Sequence, residues 1–393
     1  MAARRAAALA LLALLASGCD SDQTQRHEPL PARGPAGVMR IGVANMLWPL
    51  DPTRAKGRDE VTLARALFAT PLQTDPKTGA LRSGLCSSWH ATGSTWRLRC
   101  RHSGAIAAHL RRAALFPVRG IRAPDGHTLV ISLQAPRPEL PYLLTQVAAA
   151  PPGVPGPFRL ISASPQRVVA ERHGLRLEVR KLEPHAALRL FRAGRLDEAP
   201  VPLGDLRATK FDPQLAGALR VRRLLAADVA VFEPGVPAEV RRVYDDTADR
   251  ADYQALVPEF DAPPAEDLVH QGPPKASAAV IALREARKKI PSLPRIAVRF
   301  VRPSDSDLGY GLDLLVAAWR DLGLGPVVGG GADARFERLA APYPRLEALQ
   351  ASARGKLVVP IAWAVDARLV SPRVHGWRED ELGSIDYTRV SVP

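Results

Sequence analysis

Residues 71–101 constrain the fold more than any other stretch, because they hold two turns, two tryptophans and two cysteines in a fixed order. Residues 75–79 (D-P-K-T-G) predict a turn, since proline presets φ and glycine tolerates a positive φ. Two alternating polar and apolar runs then flank a T-G-S turn at 92–94, which predicts a β-hairpin. In that hairpin Trp89 and Trp96 are expected to lie almost opposite each other.

The order of these residues resembles the signature of family 5 extracellular solute-binding proteins, the dipeptide, oligopeptide and nickel receptors of ABC importers. The residues that carry the resemblance are D-x-x-T-G at 75–79, S-W at 88–89 and T-G-x-T-W-x-L-R at 92–99. The chain departs from the family pattern at Cys86, Thr92 and Leu98. An ordinary hairpin with a tryptophan pair is the alternative interpretation of this stretch taken alone.

Later landmarks of the family follow in the same order along the chain. They are G-P-F-x-L at 156–160, E-R at 171–172, V-R and D-R within 240–250, and V-x-G at 374–376. The resemblance implies an α/β fold of the type II periplasmic-binding-protein-like class, bilobal, with an extra small domain in the N-terminal lobe. It places the first lobe at 39–72, 153–236 and 358–393, an inserted subdomain at 73–152, and the second lobe at 237–357.

The second lobe is expected to be a parallel α/β unit, because predicted strands alternate with predicted helices there. These elements are a helix at 276–290, a strand at 295–301, a helix at 307–322 and a strand at 326–328. The polar residues 304–307 (S-D-S-D) predict an N-cap of the helix at 307–322, and a polar turn that faces the ligand is the alternative. The polar residues 244–247 predict that the preceding helix is shorter or more exposed than in the family.

The N-terminus reads as an export and anchoring signal. Arg4 and Arg5 precede an apolar run at 6–16 that is too short to span a bilayer, which predicts a signal peptide over 1–18. The sequence L-A-S-G-C, which ends at Cys19, resembles a lipobox, in which the cysteine is diacylated. A plain cleaved signal with a stray cysteine is the alternative. Residues 19–38 are polar and aperiodic and predict a flexible tether.

The other two cysteines, Cys86 and Cys100, are symmetric about Gly93 in the predicted hairpin. In an exported protein this arrangement predicts a disulfide, which closes a loop of about 15 residues and contributes about 3 kcal/mol. Two independent buried thiols are the alternative.

Charge and motifs exclude several functions. The net charge is +14, but the basic residues are spread along the whole chain rather than clustered with aromatic residues, which argues against nucleic-acid binding. No H-x-x-x-H, G-x-S-x-G or S-x-x-K motif occurs, so the sequence predicts no zinc helix, no serine hydrolase, no cofactor and no enzyme activity.

Five residues are candidates for ligand contact. Asn45, Leu47 and Trp48 follow the first predicted strand, at a point where the resemblance implies that the chain lines the ligand cleft. Trp363 and Asp366 follow the last predicted crossing between the lobes and would supply an aromatic wall and a carboxylate for a ligand amine. Packing roles are the alternative for Trp48, Trp363 and Asp366.

Together these features predict a monomeric lipoprotein on the extracytoplasmic, periplasmic side of the cell envelope. It would bind a short peptide or a similar small polar ligand between its lobes and deliver it to an ABC permease. The alternative is a degenerate lipoprotein of the same fold that acts as a scaffold or sensor without transport. Aromatic residues make up only 5% of the chain, which favours the alternative, since a ligand cleft often uses large rings.

Overall fold

The computed structural model describes residues 34–55, 57–75, 78–113, 116–151, 154–256 and 297–393. The strands are β1 (Val38–Val43), β2 (Leu72–Thr74), β3 (Leu81–Ser83), β4 (Cys86–Thr92), β5 (Thr95–Cys100), β6 (Val118–Arg122), β7 (Thr128–Leu133), β8 (Arg159–Ala163), β9 (Arg167–Arg172), β10 (Leu175–Lys181), β11 (Glu198–Pro200), β12 (Leu219–Phe232), β13 (Ala297–Val301), β14 (Gly325–Val328), β15 (Ala334–Ala340) and β16 (Leu357–Val370). The α-helices are α1 (Arg58–Leu67), α2 (Ser103–Ala113), α3 (Leu140–Gln146), α4 (Pro184–Arg192), α5 (Leu206–Phe211), α6 (Ala238–Asp246), α7 (Arg250–Leu256), α8 (Ser306–Asp321) and α9 (Leu346–Ala353). The signal peptide 1–18, Cys19, most of the tether and the predicted helix 276–290 lie outside the described residues.

A ten-stranded sheet in the order β14-β13-β15-β12-β16-β11-β1-β10-β9-β8 runs through the molecule. Strands β12 and β16, each 14 residues long, are antiparallel partners, with irregularities in register after Arg223 and after Asp228. We call the part built on β8, β9, β10, β1 and β11 the first lobe, and the part built on β15, β13 and β14 the second lobe. The chain therefore passes between the lobes along β12 and again along β16.

One hydrophobic cluster belongs to the first lobe alone, and a larger one runs from α4 and β11 of the first lobe across the crossing strands into the second lobe. In the first lobe α1 and the C-terminal segment 374–392 cover one face of β1 and β10. In the second lobe β13 pairs in parallel with both β14 and β15, as the alternation of strand and helix predicts. Its interior holds an aromatic cluster in which the Trp319 ring lies 4.8 Å from Tyr244 and 5.4 Å from Phe300.

Strand β12 shows how position in the sheet decides burial. Its first residues, 219–223, pair only with β16, and each of them is exposed or half-buried. From Ala226 onward β15 pairs with the other edge, and the strand is buried on both faces. A strand buried on both faces needs an unbroken apolar run, which the sequence A-A-D-V-A-V-F supplies apart from Asp228.

Residues 72–149 form a subdomain with its own core, a four-stranded sheet in the order β4-β5-β7-β6 packed on α2. The β4–β5 hairpin has a tighter turn than the sequence indicates, because Thr92 pairs directly with Thr95. As a result Trp89 lies opposite Leu98 and Trp96 opposite Ala91, so the two tryptophans, predicted to lie almost opposite each other, are offset by two positions. The two rings share a face as diagonal neighbours.

The predicted Cys86–Cys100 disulfide is present. The tight turn alone would place the two cysteines out of register. A β-bulge between Cys86 and Ser88 takes up the difference and sets Cys86 opposite Cys100.

Two other local predictions are confirmed. The helix before the second lobe is short: α6 ends at Asp246, only Tyr244 of it is buried, and a new helix, α7, begins at Arg250. Asp305 caps α8, since its side chain accepts hydrogen bonds from the backbone N–H groups of Asp307 and Leu308 at 2.9 and 3.0 Å. Among the described residues no helix has the length and hydropathy needed to cross a membrane.

Candidate ligand site at the crossing strands

Two charged residues interrupt the apolar crossing strand β16. The side chains of Asp366 and Arg368 are only 6% and 3% exposed. Charged groups this deeply buried need partners of opposite charge. Their partners come from α1, from β11 and from the C-terminal segment, so the crossing strand is tied to three separate parts of the first lobe.

Arg368 is the cation at the centre of this network. Its guanidinium contacts the carboxylates of Asp59 at 2.7 Å, Glu198 at 2.9 Å and Asp366 at 3.0 Å. Burial lowers the pKa of Arg368, but the three carboxylates outweigh it and leave that pKa well above its usual value. Arg368 is therefore charged and fixed.

Glu198 is held by neutral donors as well as by Arg368. The Trp377 indole N–H donates to Glu198 Oε2 at 2.9 Å, and the Tyr387 hydroxyl lies 3.2 Å from both carboxylate oxygens. Burial raises the pKa of Glu198, and the attraction to Arg368 opposes that rise. These contacts fix the C-terminal segment against the sheet.

Asp366 has a second cation and a second carboxyl group as neighbours. Arg58, at the start of α1, forms an ion pair with Asp366 Oδ1. Burial raises the pKa of Asp366, but Arg58 and Arg368 outweigh it and hold that pKa far below its usual range. Burial and the neighbouring Asp366 charge raise the pKa of Glu379 well above its usual range, so Glu379 is protonated and hydrogen-bonded to Asp366.

Asp307, in the first turn of α8, is the residue of the second lobe that lies near this charged network. Its Oδ1 accepts a hydrogen bond from the backbone N–H of Leu203 in the first lobe at 3.2 Å. Burial and the neighbouring Asp305 raise the pKa of Asp307 to about 6, against smaller lowering effects of Arg338 and Arg58. Arg58 therefore lies within electrostatic reach of one carboxyl group in each lobe.

A smaller buried network supports the second-lobe wall. Arg338 on β15 binds both carboxylate oxygens of Asp228, at 2.7 and 3.1 Å. The Tyr253 hydroxyl donates to Asp228 Oδ2 at 2.9 Å. Asp228 is the one charged residue in the buried part of β12, and both of these partners belong to the second lobe.

The residues predicted to contact a ligand differ in their exposure and in whether they are joined to the charged network around Arg368. Asn45 is exposed, and its backbone N–H lies 3.4 Å from Asp59 Oδ2, so its loop is joined to Arg368 through Asp59. Trp48 is 44% exposed in the same loop, whereas Leu47 is 1% exposed and belongs to the first-lobe core.

The two candidates on β16 are both buried. Trp363 is 4% exposed, and the Arg223 guanidinium lies 5.4 Å from its ring centroid. Asp366 belongs to the network above, with its carboxylate held by Arg58, Arg368 and Glu379. Asn45 and Asp366 are thus both joined to Arg368, whereas Leu47 and Trp363 belong to two different hydrophobic clusters.

Sequence reasoning missed four members of the network, namely Arg58, Asp59, Glu198 and Arg368. A signal was present, since Asp366 and Arg368 stand inside a run of apolar residues that must be buried. The partners could not be read from that signal, because 170 residues separate Arg368 from Glu198 and 309 separate it from Asp59.

The subdomain also contacts the second lobe. Arg345 donates to the Tyr142 hydroxyl at 3.2 Å, and its guanidinium lies 5.1 Å from the centroid of that ring. The Tyr142 and Tyr343 rings are stacked, with centroids 6.3 Å apart. We call Tyr142, Tyr343 and Arg345 the tyrosine-arginine latch, which joins the two sides of the molecule away from the crossing strands.

A crevice of about 530 Å³ separates the subdomain from the first lobe. Its walls include Arg65, Arg101, Arg172 and the backbone of 154–158. Arg65 is paired with Asp380, and Arg172 donates to the Thr388 carbonyl. Nowhere in the described ranges do three or more histidine, cysteine or acidic side chains cluster so as to hold a metal ion.

Comparison with known proteins identifies the fold. No family model and no curated protein matches the chain. Solved structures do: the murein tripeptide binding protein MppA of Escherichia coli has a TM-score of 0.70 at 13% identity and covers 92% of this chain and 99% of its own. OppA of Haemophilus influenzae, in complex with RPPGFSPFR, has a TM-score of 0.69 at 16% identity over 91% of this chain and 99% of its own.

A third solved structure, NikA of Brucella suis in complex with Fe(III)-EDTA, has a TM-score of 0.70 at 13% identity. It covers 91% of this chain and 100% of its own. The chain therefore has the type II periplasmic-binding-protein-like fold. The resemblance to family 5 solute-binding proteins drawn from residues 71–101 is confirmed at the level of that fold.

Proposed function

We propose that this chain is an extracytoplasmic solute-binding protein that holds a small polar ligand between its lobes and delivers it to an ABC permease. The observation that carries the proposal is that Arg58, which is ion-paired with Asp366 of the first lobe, also lies near enough to Asp307 of the second lobe to lower its pKa slightly. Its side chain is 35% exposed, although its Nη1 atom, which faces Asp366, is buried. Ligand sites of two-lobed α/β proteins lie where the lobes meet.

The charges at this junction favour a ligand that carries both signs. Arg58 can bind a carboxylate, and the ionised form of Asp307 can bind an ammonium group. A short peptide presents both groups a few ångströms apart. The solved neighbours are a murein tripeptide binding protein, OppA in complex with RPPGFSPFR and NikA in complex with Fe(III)-EDTA, which supports the choice of a small polar ligand.

The boundaries predicted from the sequence define the bodies that we propose to move. Residues 39–72, 153–236 and 358–393 would move as the first lobe and 237–357 as the second, with the subdomain 73–152 carried by the first. The hinge would be the pair of crossing strands. Asn45 and Trp48 would line the cleft from the first-lobe side.

A thermal unfolding screen tests the binding role. The full chain is heated with pools of di- and tripeptides and with metal chelates, and a ligand that binds only the folded state raises Tm. We expect a rise with at least one pool, and a smaller rise in the Asp307→Asn variant. Asp313→Asn, on the exposed side of the same helix, is the matched control and should behave as the wild type.

One observation favours the second candidate, a scaffold or sensor of the same fold. The Asp366 carboxylate, which the sequence suggested for a ligand amine, is already held by Arg58, Arg368 and Glu379. If no pool raises Tm while the chain still co-purifies with a membrane partner, the scaffold role is supported and the transport role is not.

Anchoring and oligomeric state are part of the same proposal. Cys19 would carry the lipid, so the wild type should partition into the detergent phase and Cys19→Ala into the aqueous phase. Light scattering should give the mass of one chain. Equal partitioning of the two forms would remove the anchor from the account.

A further inference from the structure

A second groove, of about 580 Å³, lies beside the junction but is separate from the proposed ligand site. Its lining consists of residues 219–222 at the start of β12 and residues 377–379 of the C-terminal segment. The start of β12 is a free sheet edge, since in the described part of the chain β15 pairs only with 226–232. Both walls lie within the proposed first lobe, so the groove is not a gap between lobes.

Three arginines line this groove. Arg220, Arg222 and Arg378 are all exposed. Arg220 is turned back onto its own strand, where it donates to the carbonyls of Gly217 and Leu219 at 3.0 and 2.9 Å. Within the described residues, Arg222 and Arg378 have neither a side-chain hydrogen bond nor an ion pair.

The acidic residue that lines the groove does not neutralise them. Glu379 is 7% exposed, and in its protonated form it is hydrogen-bonded to Asp366, so it carries no charge of its own. Its Oε1 atom is covered by protein and does not face a ligand in the groove.

The wall opposite β12 is rigid. The Trp377 indole donates to Glu198 Oε2 at 2.9 Å and is fixed by the buried network. Two free guanidinium groups and a third close by thus line one groove.

We propose that this groove binds a phosphate group. Guanidinium groups match phosphate oxygens with paired hydrogen bonds, and a phosphate dianion balances two cations where a single carboxylate balances one. This inference goes beyond the proposed transport function and uses none of its binding residues.

The phosphate could belong to a free metabolite or to a lipid headgroup, and two binding experiments distinguish these sources. In the first, isothermal titration calorimetry measures inorganic phosphate and glycerol 3-phosphate against the full chain at low and at physiological salt. In the second, Cys19→Ala chain is floated with phosphatidic acid vesicles and with phosphatidylcholine vesicles. The Cys19→Ala substitution removes membrane binding through the predicted anchor.

The variant Arg222→Ala with Arg378→Ala should weaken phosphate binding at least 10-fold, in whichever experiment shows binding. The matched control is Arg97→Ala with Arg122→Ala, which removes the same charge from exposed positions of the four-stranded sheet and should change binding less than twofold. Glu379→Gln keeps a neutral group with an acceptor and should retain binding. Circular dichroism checks that each variant is folded, and the single variants replace the double if it is not.

Binding that is equal in the wild type and in the groove variant would overturn the proposal. So would an equal loss in the control variant, because binding would then follow overall charge. Absence of binding to both phosphates and to phosphatidic acid vesicles would also overturn it.

Discussion

Arg345 of the second lobe lies over the ring of Tyr142 in the subdomain, 5.1 Å from its centroid, and donates a hydrogen bond to its hydroxyl. This is a contact between parts of the chain 203 residues apart, and it joins the two sides of the molecule away from the crossing strands. The contact is exposed, so it can break without unfolding either side.

The latch should therefore bias the lobes toward the closed arrangement. A cation–π contact of this kind is worth about 0.5–1 kcal/mol, so Arg345→Ala should raise the ratio of open to closed molecules by up to about fivefold. Small-angle scattering should show a larger radius of gyration. Arg354→Ala, on an exposed residue just after the same helix, is the control. Identical scattering of the Arg345 variant and the wild type would remove the latch from the account.

Loss of the central cation should damage the folded state severely. Arg368→Met leaves Asp59, Glu198 and Asp366 without their shared partner, and breaking a buried ion pair in this way costs about 3–5 kcal/mol. Urea unfolding measures the loss.

The control for that experiment is Arg302→Met. Arg302 is paired with Asp313 at 2.8 Å, but both side chains are about half exposed, so the loss should stay below about 1 kcal/mol. Adding Glu198→Gln to Arg368→Met should recover part of the stability, because one uncompensated charge is removed. Equal losses in the Arg368 and Arg302 variants would show that the network is not buried as described.

Stability should depend on pH through Asp307. Its pKa is raised from 3.8 to about 6 in the folded state, so the folded protein binds the proton more tightly than the unfolded chain does. The resulting stabilisation is present below about pH 4 and is lost as the pH rises through 6, up to about 3 kcal/mol in all.

Asp307→Asn cannot titrate and should not show this loss. The stability of the wild type relative to Asp307→Asn should therefore fall between pH 4 and pH 7, as measured by urea unfolding at each pH. Asp313→Asn, exposed on the same helix, should parallel the wild type across the range. A difference between wild type and Asp307→Asn that does not change with pH would contradict the burial of Asp307.

The disulfide should stabilise the subdomain in particular. Replacing Cys86 and Cys100 with alanine opens a loop of about 15 residues and should cost about 3 kcal/mol. Unfolding followed by tryptophan fluorescence reports on Trp89 and Trp96 in the same hairpin. Reduction of the wild type should reproduce the loss, and reduction of the alanine variant should have no effect.

The sequence predicts well where structure depends on local chemistry. The turn at 92–94, the strands of the subdomain and the cap at Asp305 follow from glycine, proline and short polar side chains that act on their own neighbours. The pairing register of the hairpin could not be predicted from these residues, because they are also compatible with a two-residue turn and a β-bulge.

Long-range features were harder to predict. Strand β12 was not predicted, since its first half carries three arginines and its second half is apolar without alternation. The exposure of its residues follows from the sheet, because the first half of the strand has one partner strand and the second half has two. The network around Arg368 could not be predicted for a similar reason, because its members come from distant segments of the chain that only the completed fold brings together.

Native mass spectrometry of the full chain tests most directly whether the lobes hold a ligand. The protein is exported from a bacterial host, purified without denaturant, and measured before and after incubation with peptide pools and metal chelates. We predict a fraction of molecules heavier by the mass of one small molecule, reduced in a variant with Arg58→Ala and Asp307→Asn. A ligand-free mass under every condition, for a chain shown to be folded, would contradict the account.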